Sequence, residues 1–337
     1  MSVSAPHSPA TLMAVAQRAG VSASTVSRFL SGKARLSASA RQAVEEAIAA
    51  LDYRPNALAQ SLKRGASMTI GVLTPAVDSP LLSAALLGID QTLSAQGYVP
   101  LMACGHWLAQ EEQKRIDLLL SQRVDGLIIL SSALPDEALA RLAARLPLMV
   151  IGAGAPAAWR LGVDNQQGAW QATQHLLSLG HRRIAHIAGP ADRASARARL
   201  AGYRQAMQEA GLAPEPALIR EGDWLPASGE QAVEHWLSQG QSFTAIFAAN
   251  DQMAAGARLA LYRHGLAVPG QVSLIGFDAV PASACMTPPL TTVDTHMPAL
   301  GARAAELLVR RLRGESVSDT LLPPRLLVRE SCAPQAQ

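Results

Sequence analysis

Five small or polar residues in one short stretch of the chain have side chains that suit contact with nucleic-acid bases. They are Ala23, Ser24, Thr25, Ser27 and Arg28. An arginine can donate two hydrogen bonds to a guanine, serine and threonine can bond several bases, and an alanine methyl can contact the methyl group of thymine. At the start of a helix, such side chains reach base edges in the major groove without clashing. An ordinary helical hairpin with a polar outer face is the alternative.

Three short helices are predicted around this stretch. The first begins after Thr11 and ends at Gly20, the second follows Ser22, and the third follows Ser37 and ends before Pro55. Serine and threonine are good N-caps, and a glycine commonly closes a helix. Apolar residues recur at helical spacing in all three. The pattern of helix, glycine-containing turn and helix predicts a helix-turn-helix module.

The charge of the 337-residue chain is distributed unevenly. The formal net charge is +3, yet residues 11–66 contain eight Lys or Arg against three Asp or Glu. The remaining 21 basic and 23 acidic residues leave a small negative balance. This asymmetry indicates a polyanionic partner for the N-terminal part alone. A solvated basic surface would show the same balance.

From Met68 onward, apolar segments alternate with amphipathic ones. The apolar segments read MTIGVLTP, YVPLMACG, GLIILSS, LMVIGAG, RIAHIAG, AIFAAN and VSLIGFD. Helical stretches are predicted near 80–96, 109–122, 166–179, 196–210, 251–265 and 298–313. Alternation of this kind predicts parallel sheets with right-handed crossovers and therefore an α/β body.

Polar residues follow several of these strands. Asn250 and Asp251 follow one strand, Asp278 ends another, and Asp164 ends a third. Ligands of open parallel sheets bind at the carboxyl ends of the strands. Carboxylates and amides pair with sugar hydroxyls, and the ring of Trp224 could cover the apolar face of a sugar. A strand-end aspartate can equally cap the following helix.

Several classes of protein are disfavoured. Three cysteines in no paired motif suit a reducing compartment, and neither a signal peptide nor an apolar run of 18 residues is present. His175, His181 and His186 fall on a helix, a turn and a strand, so they do not share a metal geometry. No nucleophile or phosphate-loop motif occurs. We therefore expect a cytoplasmic protein that is not an enzyme, needs no cofactor and does not enter a membrane.

The segments TLMAVAQRAGVSASTVSRFLSG and LDYRPNALAQSL resemble the DNA-binding head and hinge of the lactose-repressor (LacI/GalR) family. The likeness continues through IGVLTP, RVDGLIIL, GHRRIAHIAGP, ARLAGYRQAM, AIFAANDQMAAGA, VSLIGFD and PPLTTV, to about residue 313. It implies an all-α helix-turn-helix head (11–55), a hinge helix and linker (56–66), and an α/β core (67–337). That core would have two lobes, as in periplasmic sugar-binding proteins, with parallel sheets and flanking helices.

The resemblance gives the hinge segment a role. In the family the hinge helix folds against DNA, and the leucine at the position of Leu62 enters the minor groove. Such a wedge unstacks a base step and bends the duplex. Asn56 would cap this helix, and Ala59 would let it approach the groove closely. Packing of Leu62 on the core is the alternative.

The resemblance also implies an effector site between the lobes. Positions that contact effector in the family correspond to Ser195, Arg199, Trp224, Asn250, Gln252 and Asp278, beside the strand-end Asp164. Where relatives place larger or aromatic groups, this chain has Pro80, Leu81, Leu82, Thr295 and Met297. The expected effector is a sugar or sugar acid, with a purine or another small metabolite as the alternative.

The function implied is that of a repressor. It would bind double-stranded operator DNA as a homodimer, since a two-fold protein matches a palindromic site. Strands near 163, 293 and 323 would join the lobes and act as hinges. A sugar-processing enzyme and a transport-associated sugar-binding protein are the rival classes, and neither needs residues 11–63.

Overall fold

The structure is a computed structural model that describes residues 10–30, 36–54, 65–152, 160–316 and 321–335. The chain forms two compact units, which divide between Ser67 and Met68. No helix of the described residues is long and apolar enough to cross a membrane.

The described part of the first unit contains three helices. They are α1 (Leu12–Ala19), α2 (Ala23–Leu30) and α3 (Ala38–Ala50). The hydroxyl of Thr11 accepts a hydrogen bond from the amide of Ala14 at the start of α1, and the hydroxyl of Ser37 accepts one from Ala40 at the start of α3. Gly20 ends α1 with φ +65°, a conformation that glycine adopts without steric cost. The predicted caps and the glycine-containing turn are confirmed.

A small apolar core joins these helices. Its buried members are Val15, Ala16, Val26, Val44, Ala47 and Tyr53. Each helix contributes to this core with one face. In α2, Val26 is buried and Ala23, Phe29 and Leu30 pack partly against this core, so the face that carries Ser24 and Arg28 is the exposed one.

The second unit consists of two lobes, each built on a six-stranded sheet. The first sheet is parallel and has the order β11-β5-β4-β3-β1-β2. Its strands are β1 (Thr69–Thr74), β2 (Val99–Cys104), β3 (Gly126–Leu130), β4 (Leu148–Ile151), β5 (Arg160–Val163) and β11 (Leu321–Leu322). Its helices are α4 (Pro80–Ala95), α5 (Ala109–Ser121), α6 (Asp136–Ala143) and α11 (Met297–Leu312).

The second sheet has the order β12-β10-β9-β8-β6-β7, and only β12 pairs antiparallel within it. Its strands are β6 (Ile184–Ala188), β7 (Ile219–Glu221), β8 (Ala245–Ala248), β9 (Ser273–Asp278), β10 (Thr291–Asp294) and β12 (Arg325–Leu327). Its helices are α7 (Asn165–Ser178), α8 (Ala194–Glu209), α9 (Pro226–Ser238) and α10 (Asp251–Arg263), with short 3₁₀ turns at Pro216–Leu218 and Pro281–Cys285.

The chain passes between the lobes three times. The crossings lie between β5 and α7, between β10 and α11, and between β11 and β12. In the register of the second sheet, Asp294 lies opposite Asp278, so the second crossing starts at the carboxyl end of that sheet. The three crossings predicted near 163, 293 and 323 are confirmed.

Close helix pairs cover the sheets, and glycine permits the close approach. A Cβ added at Gly256 of α10 would lie 1.8 Å from the carbonyl oxygen of Pro226 in α9. A Cβ at Gly301 of α11 would lie 2.1 Å from the carbonyl oxygen of Ala85 in α4. Backbone atoms of a neighbouring helix cannot yield as a flexible side chain can, so these positions admit glycine alone.

Gly256→Ala is therefore predicted to destabilise the protein by about 1–3 kcal/mol, because the added methyl group overpacks the contact between α9 and α10. Urea unfolding of the full chain measures the change. Gly270→Ala is the matched control, since its Cβ would make an ordinary contact of 3.6 Å with Ala267. The control should stay within about 0.5 kcal/mol of the parent. Equal stability of the two variants would contradict the packing account.

Candidate functional site

The exposed face of α2 displays the residues predicted to read bases. Ser24 and Arg28 are exposed, whereas Ala23, Thr25 and Ser27 are partly buried. The Ser22 hydroxyl caps the helix by accepting a hydrogen bond from the amide of Thr25 at 3.1 Å. The same hydroxyl lies 2.8 Å from the hydroxyls of Ser24 and of Thr25. The first turn of α2 is therefore a compact polar surface.

Arg28 lies one turn farther along α2. Its Nε donates to the backbone carbonyl of Ser24 at 3.4 Å. This bond holds the guanidinium against the backbone of the first turn. The predicted contacts of Asn56, Ala59 and Leu62 with DNA fall outside the described residues.

A cavity of about 520 Å³ lies between the two lobes of the second unit. Its size falls within the range of small-ligand sites. The carboxyl ends of strands from both sheets supply much of its wall, as expected for open parallel sheets. The cavity therefore lies where the sequence predicts a ligand.

The wall from the second lobe is polar and charged. It comprises Asp192, Arg193, Ser195, Arg197, Arg199, Trp224, Asn250, Gln252 and Asp278. The wall from the first lobe is mainly apolar apart from three serines and Asp136. Its larger members are Leu81, Leu82, Trp107, Leu108, Leu134, Ile151, Met297 and Leu300, and its serines are Ser79, Ser131 and Ser132. A polar wall thus faces an apolar one across the cavity.

A buried guanidinium organises the floor of the cavity. Arg199, 6% exposed, donates from Nε to Oδ1 of Asn165 at 2.8 Å and from Nη1 to the backbone carbonyl of Ala249. Its Nη2 lies 3.1 Å from Oδ1 of Asp278, which is 7% exposed. These partners belong to α7, to the end of β8 and to the end of β9. Arg199 therefore ties three elements together at one point.

Two aromatic rings complete the surroundings of this arginine. The guanidinium carbon lies 3.8 Å from the ring centroid of Phe277 and 5.4 Å from that of Trp224. Burial lowers the pKa of Arg199, and the carboxylate of Asp278 opposes that change. An arginine keeps its proton in proteins, so the site carries a buried cation beside a buried anion.

A second carboxylate, that of Asp251, is buried near the ion pair of Arg199 and Asp278. Asp251, at the start of α10, accepts hydrogen bonds from the hydroxyl of Thr292 at 2.6 Å and from the amide of Val280 at 2.9 Å. Burial raises the pKa of Asp251 to about 7, and repulsion from Asp278 adds to this. Burial also raises the pKa of Asp278 to about 6, against the attraction of Arg199.

Asn250 positions the tryptophan of the polar wall. Its side-chain nitrogen donates to the carbonyl of Trp224 at 2.9 Å, and its side-chain oxygen caps α10 by accepting from the amide of Met253 at 2.8 Å. Trp224 has φ +72°, and its ring lies so close to Gly189 that a Cβ there would be 2.2 Å from it. The orientation of this ring is therefore set by its backbone and by its neighbour.

Strained backbone is concentrated at the cavity. Four lining residues that are not glycine have positive φ: Trp107, Ser131, Trp224 and Asp278. Residues held in such conformations cost free energy and are found at ligand sites. At Asp278 the value is +107°, which turns its carboxylate toward Arg199 at the end of β9.

The structure brings six of the seven predicted effector residues to the cavity: Ser195, Arg199, Trp224, Asn250, Gln252 and Asp278. It does not bring Asp164 there. That exposed residue is the N-cap of α7, and its Oδ1 accepts a hydrogen bond from the amide of Gln167 at 2.9 Å. In the structure Asp164 is therefore a helix cap, which is the alternative given for a strand-end aspartate.

Several lining residues are missing from the sequence prediction, among them Trp107, Ser131, Arg193 and Arg197. Ser131 follows β3 directly and Trp107 lies three residues after the end of β2, so the strand-end rule would have found them if applied to every strand and to the loop after it. Arg193 and Arg197 lie at the start of α8, close to Ser195. Among the described residues, no cluster of three or more His, Cys, Asp or Glu could hold a metal ion.

Comparison with known protein families identifies both parts of the chain. Residues 11–56 match the family described as bacterial regulatory proteins, lacI family, and residues 173–332 match a periplasmic binding protein-like domain. GalR, a transcriptional regulator of Escherichia coli, is 36% identical over 301 residues, with 88% of each chain covered. The repressor CytR of the same organism is 35% identical over 328 residues, with 96% of each chain covered.

Solved structures give the same result. A lac repressor dimer bound to operator and the anti-inducer ONPF superposes with a TM-score of 0.88 at 33% identity, covering 97% of this chain and all of that one. A complex of the regulator CelR with cellobiose superposes with a TM-score of 0.72, also at 33% identity, over 96% of this chain and 99% of that one.

The two buried carboxylates predict a particular dependence of stability on pH. In the unfolded chain an aspartate releases its proton near pH 4, whereas Asp278 and Asp251 hold theirs to about pH 6 and 7. Between about pH 4 and pH 7 the folded state therefore binds more protons than the unfolded state. The stability that these two groups contribute falls as the pH rises through that range.

Asp251→Asn removes one of these groups. Its stability relative to the parent should therefore rise with pH across this window, by about 1.4 kcal/mol for each unit by which the pKa of Asp251 is raised. Urea unfolding of both proteins between pH 4 and 8 tests this, and the parent corrects for the titrating groups that are not coupled to Asp251 as Asp278 is. A stability difference that stays constant with pH would show that Asp251 titrates normally.

Proposed function

Because the chain belongs to the lactose-repressor (LacI/GalR) family of bacterial transcriptional regulators, we propose that it represses transcription from an operator and that a small polar metabolite in the cavity between its lobes controls this repression. The observation that carries the proposal is the presence, in one chain, of an exposed polar face on α2 and a ligand-sized cavity with a polar wall.

The head supports sequence-specific binding to double-stranded DNA. Ser24 and Arg28 are exposed on one helix of a helix-turn-helix unit, and these side chains can bond base edges in the major groove. The excess of basic residues in 11–66 supplies attraction to phosphates. The hinge residues Asn56, Ala59 and Leu62 are proposed to contact the minor groove.

The cavity suits a sugar or a sugar acid. Hydroxyl, amide and carboxylate groups of Ser195, Gln252 and Asp278 can pair with ligand hydroxyls, and Trp224 presents an aromatic surface beside them. Arg193 and Arg197, on the same wall, could attract an acidic group. A purine is the second candidate, since a flat base could also stack on Trp224.

A homodimer is proposed as the form that binds DNA. The lac repressor structure that this chain resembles is a dimer on its operator. In this chain, β2 lies at the edge of the first sheet and exposes Val99, Leu101 and Met102, and α4 exposes Leu87. Exposed apolar side chains along a sheet edge are suited to burial against a second copy.

This function requires neither a reaction nor a cofactor. We infer that the protein acts in the cytoplasm, where its operator would be, and that effector binding changes the arrangement of the lobes about the three crossings. A difference in effector affinity between two arrangements is sufficient to change DNA affinity, because the two equilibria are linked.

Arg28→Ala is predicted to weaken binding to the preferred DNA site by about 1–3 kcal/mol and to flatten the base preference at one position, because the arginine donates to a base edge. Selected-site sequencing and fluorescence anisotropy measure the two effects. Gln42→Ala, on an exposed face of α3, is the control and should select the parent's motif. If Arg28→Ala selected the same motif as the parent, Arg28 would not contact a base in the major groove.

Ser195→Ala and Gln252→Ala are each predicted to weaken effector binding by about 0.5–1.5 kcal/mol through the loss of one hydrogen bond, with operator affinity unchanged. They are sharper tests than Arg199→Ala, which would leave Asp278 buried without its counter-charge at a cost of about 3–5 kcal/mol. Calorimetry with a compound found by thermal-shift screening of sugars, sugar acids and nucleobases measures the change.

Gln208→Ala, exposed on α8 and outside the cavity, is the control for these two variants. It should bind the compound as the parent does. If Ser195→Ala and Gln252→Ala also bound it unchanged, the polar wall would not be the effector site.

A further inference from the structure

Trp107 is an aromatic residue of the first lobe that faces the cavity. It lies between β2 and α5 with φ +61°, and it packs against the buried core of that lobe. A tryptophan in this conformation is uncommon. The strain indicates that the surrounding structure determines where this residue points.

Arg193 approaches Trp107 from the second lobe. It lies at the N-cap position of α8 and also lines the cavity. Its Nη2 donates a hydrogen bond to the backbone carbonyl of Trp107 at 3.3 Å, and its guanidinium carbon lies 5.0 Å from the centroid of the indole ring. One side chain thus makes a hydrogen bond and a cation–π contact across the cleft.

A buried carboxylate of the first lobe adds to this attraction. Glu112 of α5 is 5% exposed, and it accepts hydrogen bonds from the hydroxyl of Ser132 and from the amide of Ala133 at 2.7 Å. Burial raises the pKa of Glu112, and the charge of Arg193 opposes that rise. Within its own lobe, Arg193 has the exposed carboxylate of Asp192, 3.4 Å from its Nε. The arginine is therefore attracted from both sides of the cleft.

We propose that Trp107 and Arg193 form a clasp between the lobes, which holds the cavity enclosed and sets how long an effector stays bound. The clasp is made by a side-chain contact between the lobes and not by the crossing segments of the chain, so it restrains the motion that those crossings permit. Its role in effector retention rests on the proposed function, whereas the contact between the lobes does not.

The arrangement of the lobes can be measured without a ligand. Spin labels at Gln113→Cys on α5 and Gln208→Cys on α8, both exposed positions, report the separation of the lobes by double electron–electron resonance. The full chain is used, with its three native cysteines replaced by serine and its melting temperature checked against the parent. Labelled chains are mixed with an excess of unlabelled chains, so that the distances measured in a homodimer lie within one chain. The distance distribution of the parent should then show one main population.

Trp107→Ala and Arg193→Ala are each expected to raise the ratio of open to closed molecules by roughly 2- to 30-fold, the range of a cation–π contact between partly and fully desolvated groups. The double variant should open the lobes little further than Arg193→Ala alone, because Arg193→Ala already removes the cation–π contact. Trp107→Ala leaves the hydrogen bond from Arg193 to the backbone carbonyl of residue 107, so it should open the lobes less than Arg193→Ala. Trp107→Phe keeps an aromatic ring and Arg193→Lys keeps a cation. Each should therefore open the lobes less than the corresponding alanine variant.

Arg183→Ala is the matched control, since Arg183 is a part-exposed arginine whose ion pair with Glu215 lies within the second lobe. It should leave the distance distribution unchanged. Distributions for Trp107→Ala and Arg193→Ala that match the parent's would overturn the clasp, and so would fully additive effects in the double variant. If the lobes open as expected but no screened compound binds the cavity, the clasp stands and the proposed effector control fails.

Discussion

An arginine that is almost removed from water needs acceptors on every side, and Arg199 finds them on elements distant in sequence. Asn165, Ala249 and Asp278 each hold one nitrogen of its guanidinium, while the ring of Phe277 lies against it at 3.8 Å. The cost of burying two charges is several kcal/mol for each, and it is offset only when the geometry is good and the remaining groups are satisfied. This requirement holds α7, α8 and the ends of β8 and β9 in one arrangement, which is the floor of the cavity.

From this floor the cavity extends toward a different kind of surface. The second lobe presents charge, amide and hydroxyl groups, whereas the first lobe presents leucines, Ile151 and Met297 with a few serines. A ligand held by the polar wall would be covered by the apolar wall when the lobes close. Because the chain crosses between the lobes three times, closing requires only small changes at those segments.

Much of this architecture is predictable from sequence, because periodicity and caps are local properties. Thr11, Gly20 and Ser37 mark helix ends in the head, and the alternation of apolar strands with helices predicts the parallel strands of both sheets but not the antiparallel β12. Two helices, Asp136–Ala143 and Pro226–Ser238, are missing from that prediction, since both are short or begin in polar sequence. The short strands Ile219–Glu221 and Arg325–Leu327 are set by pairing with distant segments and have little local pattern.

The site is predictable to a similar extent and for a similar reason. The strand-end rule finds Asn250 and Asp278, and resemblance adds Ser195 and Gln252. Neither the strand-end rule nor the resemblance decides between ligand contact and helix cap for Asp164. Neither shows that Asp251 is buried beside the ion pair, because burial depends on the packing of distant segments. The contact of Trp107 with Arg193 joins residues 86 positions apart on different lobes. Only the folded structure reveals it.

Under the proposed function, a ligand in this cavity and an operator at the head influence each other's binding. Fluorescence anisotropy can measure the affinity of the parent protein for a duplex that it selects from random sequence, with and without each compound that binds the cavity. At least one compound should change that affinity by about 5- to 150-fold, and the duplex should change the affinity for that compound by the same factor. A compound that binds the cavity tightly and leaves the affinity for the duplex unchanged, with no other compound altering it, would contradict the claim.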